Sequence, residues 1–321
     1  MRSRPAILSD PMIAVLVIAT ALAAVLPATG AARAGAQLVS NGAIFALFLV
    51  NGMRIGRGEI ARGLVNWGYF APLLLWIFGV MALVGFGFMQ IAQHALPPLV
   101  ALGFLYFGCL PSTVQSATSY TSLAGGNVAL SVVGAALVNI VGVFVTAPLF
   151  AALGGGEAAQ IGYGSIVRIG AILVLPFVIG QALQGWTREW IIARKGRIAW
   201  LDRGVIGIAV YVAFSGAMGQ GFASMFGPRE WAVLTGLVTA FLALAIAGAW
   251  LAGGALGLPR PDRIAFLFAG SQKSVAIGAP MAAILFAPEM AGFVIAPLLL
   301  YHLLQLVVAA PLASRLARDS R

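Results

Sequence analysis

Residues 108–119 read GCLPSTVQSATS and interrupt an otherwise apolar part of the chain. The apolar run 96–107 precedes them, and another apolar segment begins at Val128. The stretch carries one proline, one glycine and six side chains with hydroxyl or amide groups. Irregular backbone survives at membrane depth only where protein or water covers it, because hydrocarbon cannot satisfy its polar groups. The stretch is therefore predicted to break a membrane helix and to form part of a binding site.

A second polar break, GSQKS at residues 270–274, interrupts an apolar segment near the other end of the chain. The composition supports a membrane setting for both breaks. The 321 residues are 61% hydrophobic and 9% charged, with a mean hydropathy of +1.00, whereas soluble domains have about 25% charged residues. We therefore predict an all-α integral membrane protein whose first apolar segment is retained as a helix. The single cysteine, Cys109, excludes an internal disulfide and a cysteine-based metal site.

Ten apolar segments are predicted to span the membrane, and the fourth and ninth contain the breaks. They are residues 12–28, 37–53, 66–88, 97–123, 127–152, 163–185, 204–226, 231–256, 263–287 and 290–314. In each half of five spans the fourth is broken, and an odd number of spans reverses the orientation of the second half. This pattern predicts two inverted five-helix repeats whose broken helices cross. Residues 1–187 hold the first repeat, to about residue 153, and the start of the second, which occupies 163–321; together they form a single membrane domain.

The basic residues lie almost entirely in loops on one side of these spans. Fifteen fall on that side and two, Arg33 and Arg229, on the other. The fifteen are Arg2, Arg4, Arg54, Arg57, Arg62, Arg188, Arg194, Lys195, Arg197, Arg203, Arg260, Arg263, Arg315, Arg318 and Arg321. This asymmetry predicts that both termini are cytoplasmic in a multi-pass plasma membrane protein, with a bacterial inner membrane favoured by the composition. A net charge of +10 spread over loops does not indicate a nucleic-acid partner.

The two breaks supply most of the candidate binding residues. They are Thr113, Gln115, Ser116 and Thr118 in the first break, and Ser271, Gln272, Lys273 and Ser274 in the second. Half-helix N-termini attract anions and freed carbonyls hold cations. An ionisable group as deep as Lys273 is functional by default, although its stem could also snorkel to a surface.

Two other spans carry polar side chains that extend this candidate site. His302 and Gln305 share one face of the tenth span, where the histidine serves either as a proton relay or as a hydrogen-bonded packing residue. Ser131 and Asn139 on the fifth span are predicted to face the bundle interior, with helix–helix hydrogen bonding as the alternative role. The carboxylates fall in loops or at span ends, so none is predicted to bind a coupling ion at mid-membrane depth.

Several runs resemble the bile acid:sodium symporter family, solute carrier family 10, and in particular the branch of member 7 and its bacterial relatives. They are residues 111–131 with the sequence GNVALS at 126–131, KGR at 195–197 with LDRGVI at 201–206, DRIA at 262–265 leading to GSQKS at 270–274, and HLLQL at 302–306. The resemblance covers essentially the whole chain. It implies ten spans in inverted repeats, a panel domain, a core domain and a transport site where helices four and nine cross.

The sequence departs from this family where sodium is bound. The resemblance implies a sodium-binding glutamate on helix nine, but alignment places Phe268 there and Lys273 at the position of an asparagine. Ser131 matches a sodium-ligand serine, whereas Ala135 replaces the next ligand, a threonine. These replacements put sodium coupling in doubt and leave at most a weak sodium site at Thr118 and Ser131, with no other metal or cofactor expected. We hypothesise that the Lys273 ammonium stands in place of sodium; a proton is the alternative coupling ion.

The predicted function is a secondary active transporter that moves a small organic anion across the lipid bilayer by alternating access. Two alternatives remain open from the sequence. One is a membrane regulator of calcium homeostasis that does not itself transport. The other is an intramembrane hydrolase that uses Ser271 or Ser274 with Lys273 as base, which is disfavoured because adjacent residues on a helix do not face each other. The chain is therefore not expected to be an enzyme.

Overall fold

The computed structural model describes residues 11–56, 58, 66–155 and 163–318, and every element in these ranges is a helix. Helices α1 to α6 are Pro11–Val25, Gly30–Arg54, Trp67–Ala92, Pro98–Gly108, Val114–Leu123 and Val128–Gly155. Helix α7 covers residues 163–193 through a π-helical turn at Gly170–Val174. Helices α8 to α13 are Lys195–Gly219, Phe222–Met225, Pro228–Ala255, Arg260–Ser271, Val275–Leu285 and Pro288–Arg318. The predicted all-α class is therefore correct.

Seven helices in the described part of the chain are long and apolar enough to cross a membrane, so this is a multi-pass membrane protein. They are α2, α3, α6, α7, α8, α10 and α13. Helix α4 has only 11 residues, or about 17 Å at 1.5 Å per residue. A bilayer core about 30 Å thick needs about 20 residues, so α4 reaches only part of the way across.

The breaks fall inside the two predicted stretches. Between α4 and α5 the chain leaves the helix at residues 109–113, and Thr113 is extended, with φ −76° and ψ 140°. Pro111 contributes to this break because proline has no backbone N–H and disfavours a helical conformation of the residue before it. Between α11 and α12 the chain is extended at Gln272 and again at Ser274.

The half-helices that flank the breaks form the centre of the molecule. In α12 every residue except Ala276 is buried, and α4 is buried from Val100 to Gly108. A helix that is hydrophobic on all sides belongs in such a position. Helix α13 packs on α4, α8 and α12, while α1 packs on α8 and α2 on α7. The two breaks are thus held at the middle of a helical bundle.

The basic stretch 188–203 is predicted as a loop between two spans, but it is helical apart from a turn at Arg194. Helix α7 ends at Ala193 and α8 begins at Lys195, nine residues before the predicted start of that span at residue 204. Lysine and arginine are good helix formers, and a helix end beyond the hydrocarbon can carry charge. The basic residues Arg2, Arg4, Arg57, Arg62 and Arg321 lie outside the described residues, as do residues 1–10 of the first predicted repeat.

Candidate functional site

The first break exposes five consecutive backbone carbonyls, and each of them accepts a hydrogen bond from another part of the chain. Lys273 Nζ donates to the carbonyls of Gly108 and Leu110, and Thr146 Oγ1 donates to that of Cys109. The backbone N–H of Ser274 donates to Pro111, and Asn139 Nδ2 donates to Ser112. Because unsatisfied backbone groups are costly inside a membrane, these donors allow α4 to end at mid-depth.

The second break is held in a similar way by side chains of other helices. Trp76 Nε1 donates to the Gly270 carbonyl at 3.1 Å, and the Tyr301 hydroxyl donates to the Ser271 carbonyl at 2.5 Å. Gln305 makes a paired contact with the backbone of Lys273. Its Nε2 donates to the Lys273 carbonyl at 3.1 Å, and its Oε1 accepts from the Lys273 N–H at 2.9 Å.

Lys273 joins the two breaks directly. Its side chain is fully buried, and its Nζ lies 2.8 Å from the carbonyl oxygens of both Gly108 and Leu110. The C-terminal end of a helix carries partial negative charge on its free carbonyls, so a cationic donor is favoured at the end of α4. Snorkelling to a surface, the alternative considered for this residue, does not occur. The side chain of one break thus satisfies two backbone carbonyls of the other break.

Hydroxyl and amide groups from both breaks meet beside this lysine. Thr113 Oγ1 donates to Gln272 Oε1 at 3.0 Å. Ser116 Oγ also contacts Gln272 Oε1 and Thr113 Oγ1. Gln305 Nε2 lies 2.9 Å from His302 Nδ1, which agrees with their placement on one helix face. One polar group therefore joins the two breaks, and a second joins α13 to the backbone of Lys273.

A cavity of about 600 Å³ opens beside this network. Its polar wall includes Thr113, Gln115, Ser116, Asn139, Ser274 and His302. Its apolar wall includes Phe48, Val132, Val143 and Phe177. Its mouth is lined by three arginines and one aspartate, namely Arg54, Arg188, Arg203 and Asp202. The cavity therefore combines neutral hydrogen-bonding groups in its depth with net positive charge at its entrance.

The cavity occupies one half of the bundle. The α2 residues that line it lie between Phe48 and Arg54 at the end of that helix, and the α8 residues lie between Ala199 and Ile206 near its start. Its lining comes from two helix groups, with α1, α2, α7 and α8 on one side and α5, α6, α12 and α13 on the other. The mouth faces the end of the bundle that carries most of the basic residues.

The opposite half is closed by contacts between the same two helix groups. Arg33 on α2 forms a 2.6 Å ion pair with Glu289 on α13. Gly216 on α8 lies against the Pro288 carbonyl at the start of α13. Gly292 on α13 packs closely on Ala213 of α8. A Cβ atom added to Gly292 would lie only 2.6 Å from the Ala213 carbonyl oxygen. Arg33 and Arg54 are separated on α2 by about 30 Å, the thickness of a bilayer core. These contacts join the two helix groups at the end of the bundle opposite the cavity mouth.

With this geometry, the comparisons with known proteins show which family the chain belongs to. Residues 10–318 match the model of the SBF-like CPA transporter family. This chain belongs to that family. It is 36% identical to the protein PA2026 of Pseudomonas aeruginosa over 98% of this chain and 95% of that protein. It is 33% identical to YfeH of Escherichia coli, named as a candidate symporter, over 97% and 94% of the two chains.

A more distant relative is the sodium/bile acid cotransporter 7 of mouse, 23% identical over 85% of this chain and 82% of that protein. The resemblance to the bile acid:sodium symporter family and to the branch of member 7 is therefore confirmed. The family consists of transporters, and these names agree with the prediction that the chain is not an enzyme. A lipid bilayer and a small-molecule substrate follow as partners from membership of the family.

The predicted site residues of this SBF-like transporter divide into two sets of equal size. Thr113, Gln115, Ser116, Asn139, Ser274 and His302 line the cavity. Thr118, Ser131, Ser271, Gln272, Lys273 and Gln305 lie outside its lining. Several of the second set still act on the first, since Gln272 contacts Thr113 and Gln305 contacts His302. Lys273 faces backbone carbonyls and does not face the cavity.

Thr118 and Ser131 lie close together, as a shared ion site requires. Ser131 Oγ is 3.4 Å from both Thr118 Oγ1 and Thr121 Oγ1. These three groups are neutral hydroxyls, and the position expected for a carboxylate holds Phe268, which packs against Tyr120 with ring centroids 5.8 Å apart. The described residues contain no group of three acidic, histidine or cysteine side chains able to hold a metal ion. The two candidate sodium ligands are therefore neutral hydroxyls with no carboxylate at the expected position.

The sequence analysis missed two kinds of functional residue. Trp76, Thr146 and Tyr301 satisfy carbonyls of the breaks, but each lies in an apolar span and looks like an ordinary packing residue. The arginines at the mouth were interpreted only as topology signals. The proximity of Arg54, Arg188 and Arg203 depends on how α2, α7 and α8 pack, which periodicity does not reveal.

Proposed function

We propose that this protein is a secondary active transporter that moves a small organic anion by alternating access and does not require sodium. The observation that carries the proposal is a cavity that reaches both helix breaks from the arginine-rich end while the other end is closed. A transporter needs such access from one side at a time. The closed end is held by contacts between two helix groups, so movement of one group relative to the other would open it.

The proposal includes ten membrane spans in two inverted repeats. The continuous helices α1, α2, α3, α6, α7, α8, α10 and α13, together with the pairs α4–α5 and α11–α12, give ten crossings with the fourth and ninth interrupted. The positive-inside rule then places the arginine-rich end and both termini in the cytoplasm, in a bacterial inner membrane. The cavity accordingly opens inward.

The charge distribution of the cavity favours an anion with an apolar body. Three arginines and one aspartate line the mouth, and opposite charge attracts a ligand into a low-dielectric cleft. At the deep end α5 begins at Val114, and Thr113 makes no side-chain cap there, so the partial positive charge of this helix end faces the cavity. The phenylalanines and valines of the other wall suit a hydrocarbon portion of the ligand.

The proposed cation of the transport site is Lys273 itself. Its ammonium satisfies two carbonyls at the end of α4, which is what a bound sodium ion would do with backbone oxygens. The other oxygen groups nearby are neutral hydroxyls. We therefore expect that substrate or proton movement, without a sodium gradient, changes the relative position of the two helix groups.

The rival functions have less support. In a hydrolase a serine would be bonded to the Lys273 amine, but Ser271 Oγ donates to the Leu267 carbonyl at 2.7 Å and Ser274 Oγ accepts from the Ile277 N–H. A calcium regulator that does not transport would leave the cavity without a role, and its relatives carry transporter names.

A thermal-stability screen tests the proposed substrate class. The purified protein in sodium-free buffer is heated with a panel of organic anions and with neutral analogues of the same shape. Ligand that binds the folded protein stabilises it by RT ln(1 + [L]/Kd). We expect stabilisation by at least one anion, a weaker effect in Arg203→Gln, and an unchanged effect in Arg229→Gln, whose arginine lies at the other end. Equal stabilisation by the neutral analogues would contradict an anionic substrate.

A further inference from the structure

The turn between α7 and α8 extends beyond the membrane core. The membrane-spanning part of α7 has 27 residues and α8 has 25, whereas about 20 residues cross the hydrocarbon. The excess of both helices lies at the charged end, because charged side chains are expensive inside the bilayer. Residues 186–203, called here the basic hairpin, therefore lie at the level of the lipid headgroups.

The basic hairpin exposes three tryptophans. Trp186, Trp190 and Trp200 are 83%, 55% and 60% exposed. Trp186 and Trp190 are four residues apart and share one face of α7. Tryptophan favours the membrane interface, where its ring meets the acyl boundary and its N–H meets the headgroups. These side chains fix the depth of the hairpin in the leaflet.

Basic side chains surround the tryptophans. The hairpin contains five basic residues and two acidic ones, and one of the acids, Asp202, is paired with Arg54 at 3.0 Å. The Arg194 guanidinium lies 4.3 Å from the centroid of the Trp190 ring, and that of Arg203 lies 5.0 Å from the Trp200 ring. Lys195 and Arg197 are exposed and form no ion pair with the described residues.

We propose that the basic hairpin is a binding site for anionic phospholipid headgroups. A tryptophan belt alone would accept any headgroup, but a surplus of cations at the same depth attracts anionic lipid. Arg188 and Arg203 also line the cavity mouth. A bound headgroup therefore lies next to the entrance of the cavity, because these two arginines belong both to the lipid site and to the cavity lining.

Tryptophan quenching by brominated lipids tests this site. The protein in detergent micelles is titrated with brominated phosphatidylglycerol or with brominated phosphatidylcholine of the same chains. We expect half-maximal quenching at a several-fold lower mole fraction of the anionic lipid. Lys195→Gln combined with Arg197→Gln should remove most of this several-fold preference, because each basic side chain near the surface adds to the attraction of anionic lipid. A variant with Trp186→Phe, Trp190→Phe and Trp200→Phe should lose the preferentially quenched signal.

The matched control removes two other exposed charges from the arginine-rich end, with Arg315→Gln and Arg318→Gln on α13. This control should keep the preference of the wild type for brominated phosphatidylglycerol. Equal quenching by the two lipids in the wild type would overturn the proposal. An equal loss of preference in the hairpin variant and in the α13 control would also overturn it, because general surface charge would then explain the effect.

Discussion

The ammonium of Lys273 lies 2.8 Å from the carbonyl oxygen of Leu110, so that a side chain of one break satisfies the backbone of the other. The same nitrogen bonds the Gly108 carbonyl at the end of α4. The backbone N–H of Ser274 bonds the Pro111 carbonyl and completes the junction. The two breaks therefore form one structural unit, and a change at Lys273 affects the geometry of both.

Lys273→Ala is expected to destabilise the protein and to create a sodium-binding space. Removal of the ammonium leaves two buried carbonyls without a hydrogen-bond donor. Each unsatisfied carbonyl lowers the free energy of unfolding by about 1–3 kcal/mol. Sodium chloride, but not choline chloride, should then raise the melting temperature of the variant, because a cation can replace the lost charge.

The control for this substitution is Lys195→Ala, which removes an exposed lysine. We expect the wild type and the control to melt at the same temperature in either salt. A sodium-dependent stabilisation of the wild type would contradict the view that Lys273 stands in place of the ion.

Tyr301→Phe is expected to weaken the second break. The hydroxyl of this fully buried residue donates to the Ser271 carbonyl at 2.5 Å, and its loss leaves that carbonyl unsatisfied. The destabilisation should be about 1–3 kcal/mol, measured as a lower melting temperature. Tyr211→Phe, which removes a more exposed hydrogen bond to the Leu26 carbonyl, should have a smaller effect; equal effects would contradict a special role for Tyr301.

Gly216→Ala is expected to open the closed end of the cavity. A methyl group at this position meets the Pro288 carbonyl at the contact between α8 and α13. A reporter cysteine at the buried position Ser40 should react several-fold faster with an impermeant maleimide added from the closed side. Gly204→Ala on the same helix, with open space around its Cβ position, serves as the control. Slow labelling in both variants would show that this contact does not hold the end closed.

Charge reversal at the Arg33–Glu289 ion pair tests how much this pair contributes to keeping that end of the bundle closed. Arg33→Glu alone places like charges opposite each other at the contact with Glu289. Partly exposed pairs contribute about 1 kcal/mol or less, so we expect an increase of up to about fivefold in labelling of the Ser40→Cys reporter. Addition of Glu289→Arg should return labelling towards the wild-type rate; no recovery in the double variant would mean that the pair does not act as a latch.

Much of the fold follows from the sequence because hydrocarbon restricts the backbone so strongly. The polar stretches 108–119 and 270–274 are predicted to break their spans, and the structure has a break inside each, at residues 109–113 and 272–274. The helix start at Lys195 does not follow from the sequence, because a dense run of charge indicates a loop between spans although lysine and arginine favour helices. Hydropathy measures how readily side chains leave water for the membrane, so it locates the apolar span but not the residue at which the helix ends.

The site was only partly predictable for a different reason. The chemistry of Thr113, Ser116 and His302 follows from their polarity at depth, and they do line the cavity. The direction of Lys273 towards carbonyls of α4 depends on a contact across 165 residues. Tyr301 and Trp76 have apolar bodies, so only the packed structure shows which carbonyl each hydroxyl or N–H meets.

Uptake into proteoliposomes tests the central claim most directly. The reconstituted protein is given an organic anion that stabilises it, with sodium outside or with choline in its place, and accumulated substrate is measured over time. We predict protein-dependent uptake at the same rate in both solutions and a strong loss of uptake in Lys273→Ala. Uptake that requires sodium in the wild type, or that proceeds unchanged without Lys273, would contradict the account.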